Sequence, residues 1–142
     1  MNKIWMTMCL LVSLAAAATA ANVPQTPQPL TRTLANARYV YVTSYDGDQF
    51  NTQILPEDRD AILAVQNSIQ QWGKLVVVYH PEQADIVMMV QSRPSEDTLA
   101  VYEAHGWPGA SYLWREMGRD GLQAGETPLV TDFRTALEKT VK

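Results

Sequence analysis

The segment from Pro56 to Trp72 constrains the fold most, because every local signal in it agrees on a helix. Proline suits the first helical turn, where its missing N–H costs nothing. Glu57, Asp58 and Asp60 place negative charge at the positive end of the helix dipole. Ile62, Val65, Ile69 and Trp72 recur at intervals of three and four and make one apolar stripe. Gly73 follows, a residue that can take the left-handed conformation that ends a helix. On either side lie Arg38 to Tyr45, rich in tyrosine and valine, and the apolar run Leu75 to Tyr79. Both read as strands. A helix joining two strands of one sheet predicts a right-handed parallel crossover.

The rest of the chain supplies more strands than helices. Leu75 to Tyr79 and Ile86 to Val90 are uninterrupted apolar runs, the pattern of strands buried on both faces. Met88 and Met89 occupy successive strand positions, so their side chains point to opposite faces. Leu99 to Ala104 and Tyr112 to Glu116 read as a hairpin around a Gly106-Trp107-Pro108-Gly109 loop. Thr127 is placed to cap a last helix with Pro128 in its first turn, and Val130, Phe133, Leu137 and Val141 form its apolar face. The predicted order is β-α-β-β-β-β-α. The fold class is α/β (α+β), one mixed sheet with helices packed on it.

The amino terminus sets the compartment. Lys3 gives a short basic start, Ile4 to Ala18 is mostly apolar and uncharged, and Ala18-Thr19-Ala20 is an A-x-A cleavage site. This is the layout of a secretory signal peptide, so residues 1–21 are expected to be removed. The product is expected in the periplasm or outside the cell, with no membrane insertion. Residues 22–36 are expected to be a linker, with Pro24, Pro27 and Pro29 favouring an extended chain. Residues 37–142 are expected to form one domain. Cys9, the only cysteine, leaves with the leader, so packing rather than disulfides must hold the mature domain. Without Lys3, ten basic residues stand against fifteen acidic ones. That balance argues against nucleic acid as a partner.

Ala84-Asp85 followed by the strand Ile86 to Val90, Trp72-Gly73 at a helix end, and Val101-Tyr102-Glu103 beside Leu113-Trp114-Arg115 carry a resemblance. The pattern resembles small exported bacterial domains of unknown function and, more distantly, the amino-terminal domain of TolB and related periplasmic α/β accessory domains. The resemblance covers residues 39–141 and implies an envelope protein-interaction module rather than an enzyme. It transfers no functional residue, and the β-propeller that follows in TolB has no counterpart in this sequence. Asp85 has an obvious structural use, accepting backbone amides where the chain turns into a strand.

Few residues suggest chemistry. Counting from Asp46, Asp48 and Glu57 fall at positions 3 and 12 of a calcium loop, but Phe50 and Asn51 occupy positions 5 and 6, where a ligand and a glycine belong. Asp46-Gly47-Asp48 is therefore read as a turn. His80 and His105, the only histidines, could join methionines as soft metal ligands, yet no spacing gathers them. No metal site, catalytic residue or cofactor is assigned, and no serine lies in a G-x-S-x-G setting.

Trp107, between two glycines, and Tyr112 are the interaction candidates. A tryptophan at a loop tip suits an interface anchor; its alternative is to fold back onto the sheet edge or cap the core. The leading expectation is a noncatalytic exported domain with an envelope protein partner. A small-ligand or metal-binding domain comes second and a carboxylate-based hydrolase last.

Overall fold

The computed structural model describes residues 32–109 and 111–140. The leader, most of the linker and Val141 lie outside the described residues. One five-stranded mixed sheet carries three helices, in the order α1 (Arg32–Asn36), β1 (Tyr39–Ser44), α2 (Pro56–Trp72), β2 (Val76–Val78), β3 (Ile86–Ser92), β4 (Asp97–Glu103), β5 (Tyr112–Gly118) and α3 (Pro128–Thr140). Single 3₁₀ turns sit at Pro81–Gln83 and Ala104–Gly106. The strands lie side by side as β2-β1-β3-β4-β5. β1 runs parallel to both β2 and β3, and the pairs β3–β4 and β4–β5 are antiparallel. Among the described residues, no helix is long and apolar enough to cross a membrane.

Helix α2 has the predicted bounds. Pro56 opens it, and Gly73 ends it at φ 75° with its N–H donating to the Ile69 carbonyl. Ile62, Val65 and Ile69 are fully buried, and Trp72 packs at the edge of the core. The same core takes Val40, Val42, Ile86, Met88, Val90, Leu99 and Val101 from one face of the sheet, and Val130, Phe133 and Leu137 from α3. Phe133 stands edge-on between Trp72 and Trp114, with ring centroids 6.3 and 5.4 Å away.

Three expectations are corrected. The domain starts before residue 37: Arg32–Asn36 is helical and Leu34 is buried in the core, an apolar anchor that the prolines upstream obscure. The run Leu75 to Tyr79 is not a strand buried on both faces. Only Val76–Val78 pairs, β2 is an edge strand, and Val76 is exposed. Thr127 does not cap α3 with its hydroxyl, which donates instead to the Gln123 carbonyl at 3.1 Å.

Asp85 fastens the start of β3 to the start of β1. Its Oδ2 accepts the amides of Arg38 and Tyr39 at 2.8 and 2.9 Å, and its own N–H donates to the Tyr39 carbonyl at 2.9 Å. Three bonds thus pin the start of β3 to the start of β1 after the chain has crossed from β2.

Candidate interaction face

Strand alternation gives the sheet two unlike faces. All three helices contribute to the core on one face. The opposite face carries Tyr39, Tyr41 and Thr43 of β1, in register through Val87 and Met89 of β3 to Tyr102 and Ala100 of β4, then to Tyr112 and Arg115 of β5. No helix among the described residues covers it. One row therefore reads Val78, Tyr41, Val87, Tyr102, Tyr112 across all five strands. The short side chain of Val87 is buried in the floor between larger neighbours, while Tyr39, Tyr112 and Met117 remain exposed.

A β-bulge puts Tyr112 in that row. Val101 pairs with Trp114 but Tyr102 pairs with Tyr112, so one residue of β5 is skipped. A bulge re-aims the side chains around it. In an unbulged ladder Leu113 would face Tyr102; instead Leu113 packs toward the core and Tyr112 faces out, 56% exposed.

Trp107 follows the 3₁₀ turn at Ala104–Gly106 and is half-buried. Its ring meets Tyr41 edge-on at 6.3 Å. It thus lies over the same face as Tyr112, folded against the sheet. Tyr41 is largely buried, and its hydroxyl donates to Asp48 Oδ2 at 2.9 Å. Burial first, and this carboxylate second, push the Tyr41 hydroxyl up to about 12. Burial also raises Tyr102, with Tyr45 and Tyr112 adding to it and Arg115 opposing.

The Tyr41 shift makes a pH prediction. Between its ordinary value of 10 and about 12, the unfolded chain releases this proton while the folded chain keeps it. Stability is therefore full below pH 10 and falls as pH rises through that window. Urea titrations at pH 9 and 11 should show the loss, and Tyr41→Phe should flatten it. An equal loss in the variant would assign the effect to other groups.

The remaining candidates are dispersed. Asp46 and Asp48 belong to a turn: Ser44 and Gly47 exchange backbone bonds, and Asp48 Oδ1 accepts the Phe50 amide at 3.0 Å. Glu57 lies instead in a cleft of about 400 Å³ with Asp60, Ser92, Arg93, Asp97 and Asp120. His80 precedes the 3₁₀ turn at Pro81–Gln83. His105 lines an open cleft of about 270 Å³ with Thr33, Asn36, Asp85 and Glu103. Among the described residues, no three histidines, cysteines or carboxylates stand together as metal ligands.

The sequence reasoning missed a buried polar cluster. Asp58, placed by sequence as a helix-dipole charge, is fully buried. Its Oδ1 accepts the Ser92 amide at 2.7 Å and the Arg93 guanidinium at 2.9 Å. Asp97 accepts the Ser92 hydroxyl at 2.7 Å and the Leu122 amide at 3.0 Å. The cluster ties α2, the β3–β4 turn and the loop before α3 together. No known protein family, curated protein or solved structure matches this chain.

Proposed function

We propose that this domain is a noncatalytic protein-interaction module of the cell envelope, exported by its leader, which engages its partner through the helix-free face around Trp107 and Tyr112. The observation that carries the reading is the aromatic row itself. Tyr41, Tyr102 and Tyr112, with Trp107 beside them, share one helix-free face, on which Tyr112 is the exposed member of the row. Tyrosine and tryptophan are the residues that contribute most to interfaces, since they present large, stiff area with a polar tip. Backbone pairing at all four junctions between neighbouring strands makes the platform rigid, so little ordering entropy is lost on binding.

The small-ligand alternative finds support in the cleft that brings His105 beside Asp85 and Glu103. Both carboxylates there have protein partners: Asp85 holds two amides, and Glu103 Oε1 accepts the Thr33 hydroxyl at 3.2 Å. The interaction reading is therefore preferred.

Chemical crosslinking in intact cells, followed by mass spectrometry, should capture one dominant envelope protein. Tyr112→Ala should cut that capture at least tenfold, the effect of losing a central anchor of about 1.4 kcal/mol or more. Its melting temperature should stay nearly unchanged because the side chain is mostly exposed. Trp107→Ala should cut capture similarly and also lose about 1 kcal/mol of stability from its contact with Tyr41. Undiminished capture by both variants would refute the assignment of this face.

A further inference from the structure

We propose that two copies of this chain join through β2, edge to edge and antiparallel, so that their sheets become one continuous sheet. This edge lies at the opposite end of the strand order from Tyr112, and the dimer is independent of any partner bound there. The two edges of the sheet are unlike. Exposed Arg115 and Glu116 lie along β5, and a bulge interrupts its pairing with β4. Charges and bulges are the usual devices that keep an edge strand from pairing with another chain. β2 has neither. It belongs to the run Leu75-Val76-Val77-Val78-Tyr79, which contains no charge and no proline. No described residue pairs with its outer side, and Val76 and Tyr79 are exposed.

The backbone groups left over on β2 fix the register. Val76 donates its N–H to the Arg38 carbonyl, just before β1, at 2.7 Å. Successive residues of a strand turn their N–H and C=O to opposite edges. Val76 and Val78 therefore face β1, whereas Leu75, Val77 and Tyr79 turn theirs outward. A two-fold axis through Val77 sets Val77 against Val77 and Leu75 against Tyr79 of the second copy. Every outward group of the run then gains a partner, because facing residues in an antiparallel pair can exchange both bonds. The same axis sets Val76 against Val78 of the second copy and covers the exposed valine. A shift of two residues either way would set Tyr79 against Gly73 or Leu75 against Pro81, which lack an apolar side chain or an N–H. A shift of one residue would put the side chains on the wrong faces. Lys74, the first charged residue outside the run, meets His80 rather than a second lysine. Self-pairing about the middle of β5 would instead oppose two Arg115 side chains, and like charges directly opposite are unfavourable.

Exposed apolar surface flanks the run. Phe50 has the largest exposure of the large apolar side chains among the described residues, 68%, and stands edge-on to Tyr79 with ring centroids 6.1 Å apart. Leu75 of the second copy arrives beside this pair. At roughly 200 Å² for a whole aromatic side chain, the exposed parts of Phe50 and Tyr79 come to about 230 Å² per copy. With Val76 and the strand backbone added, the interface stays below about 1,200 Å², the range of weak, reversible association. The axis stands normal to the sheet, so the helices of both copies share one side and both Tyr112 side chains look the other way.

The test uses the chain from residue 22 onward, which keeps every described residue and omits Cys9. Its mass by sedimentation equilibrium should rise toward twice the monomer value between ~10 μM and ~1 mM. Val76→Lys places a charge on the edge at an exposed position and should weaken the dimer at least tenfold without moving the melting temperature. Single cysteines locate the contact. In this register the two Val76 Cα atoms lie about 8 Å apart, so Val76→Cys should be joined to its copy by a bismaleimide of that length. Met117→Cys on β5 should not. A chain that stays monomeric at ~1 mM overturns the dimer. So does self-association that survives Val76→Lys, or crosslinking through Met117→Cys in place of Val76→Cys. Tyr112→Ala should leave the dimer intact, so loss of partner capture in that variant and loss of the dimer in Val76→Lys are read separately.

Discussion

Phe133→Ala is expected to destabilise the domain by about 4 kcal/mol, the usual cost of emptying a buried phenylalanine site. The residue is fully buried, and its ring meets both Trp72 at the end of α2 and Trp114 on β5. Two mechanisms add. The truncation loses the transfer energy of a large apolar side chain. It also leaves a cavity between two rigid indoles that cannot collapse inward without moving α2 or β5. Since a domain of this size has only about 5–15 kcal/mol in total, the midpoint of urea unfolding should fall by about a quarter or more. Phe133→Leu should recover most of the loss by refilling the volume. A midpoint near that of the unmodified protein would mean that α3 does not hold the two tryptophans.

Asp58→Ala should cost about 3 kcal/mol. The aspartate is one of the few charged side chains wholly inside the domain, and it serves two groups on the β3–β4 turn at once. Removing it leaves the Ser92 amide without its acceptor and the Arg93 guanidinium without its countercharge. Breaking one side of a buried pair is expensive for that reason. Asp58→Asn separates the two contributions. It keeps an oxygen for the Ser92 amide and loses only the ion pair, so it should cost roughly half as much. Equal costs for the two variants would place nearly all the energy in the Arg93 pair. A negligible cost for alanine would contradict the account of this cluster. Arg93→Ala should fall between, since its side chain is about one-third exposed and partly screened.

These residues show where sequence reading stops. Helix α2 was legible to its ends because proline, acidic first turn, apolar stripe and glycine are all local signals. The tyrosines and valines of β1 likewise marked a strand, because β-branched and aromatic residues are a local signal. A continuous apolar run carries no such alternation, so Leu75 to Tyr79 gave no sign that its strand would be an edge. Asp58 carried a correct local signal that hid its tertiary role: its partner Arg93 is thirty-five positions away. Leu34 was masked by the prolines before it.

The interaction face was legible only in part. Trp107 stood out by residue type and loop position, and Tyr112 as an aromatic residue opening the strand after that loop. That they share a face with Tyr41 and Tyr102 depends on the order of the strands and on one skipped residue at Leu113. Neither is a property of local sequence. The Asp85 clamp fastens β3 to β1 across 46 positions of sequence, and the bulge accompanies the packing of Leu113 toward the core.

Site-specific photocrosslinking in living cells tests the central claim most directly. A photoreactive phenylalanine analogue is placed at Tyr112 in one variant and at Leu63 in another. Leu63 is nearly as exposed but lies on α2, against the opposite face of the sheet. The account predicts one dominant protein adduct from position 112 and none from position 63. An adduct of the same partner from position 63 but not from position 112 would contradict it.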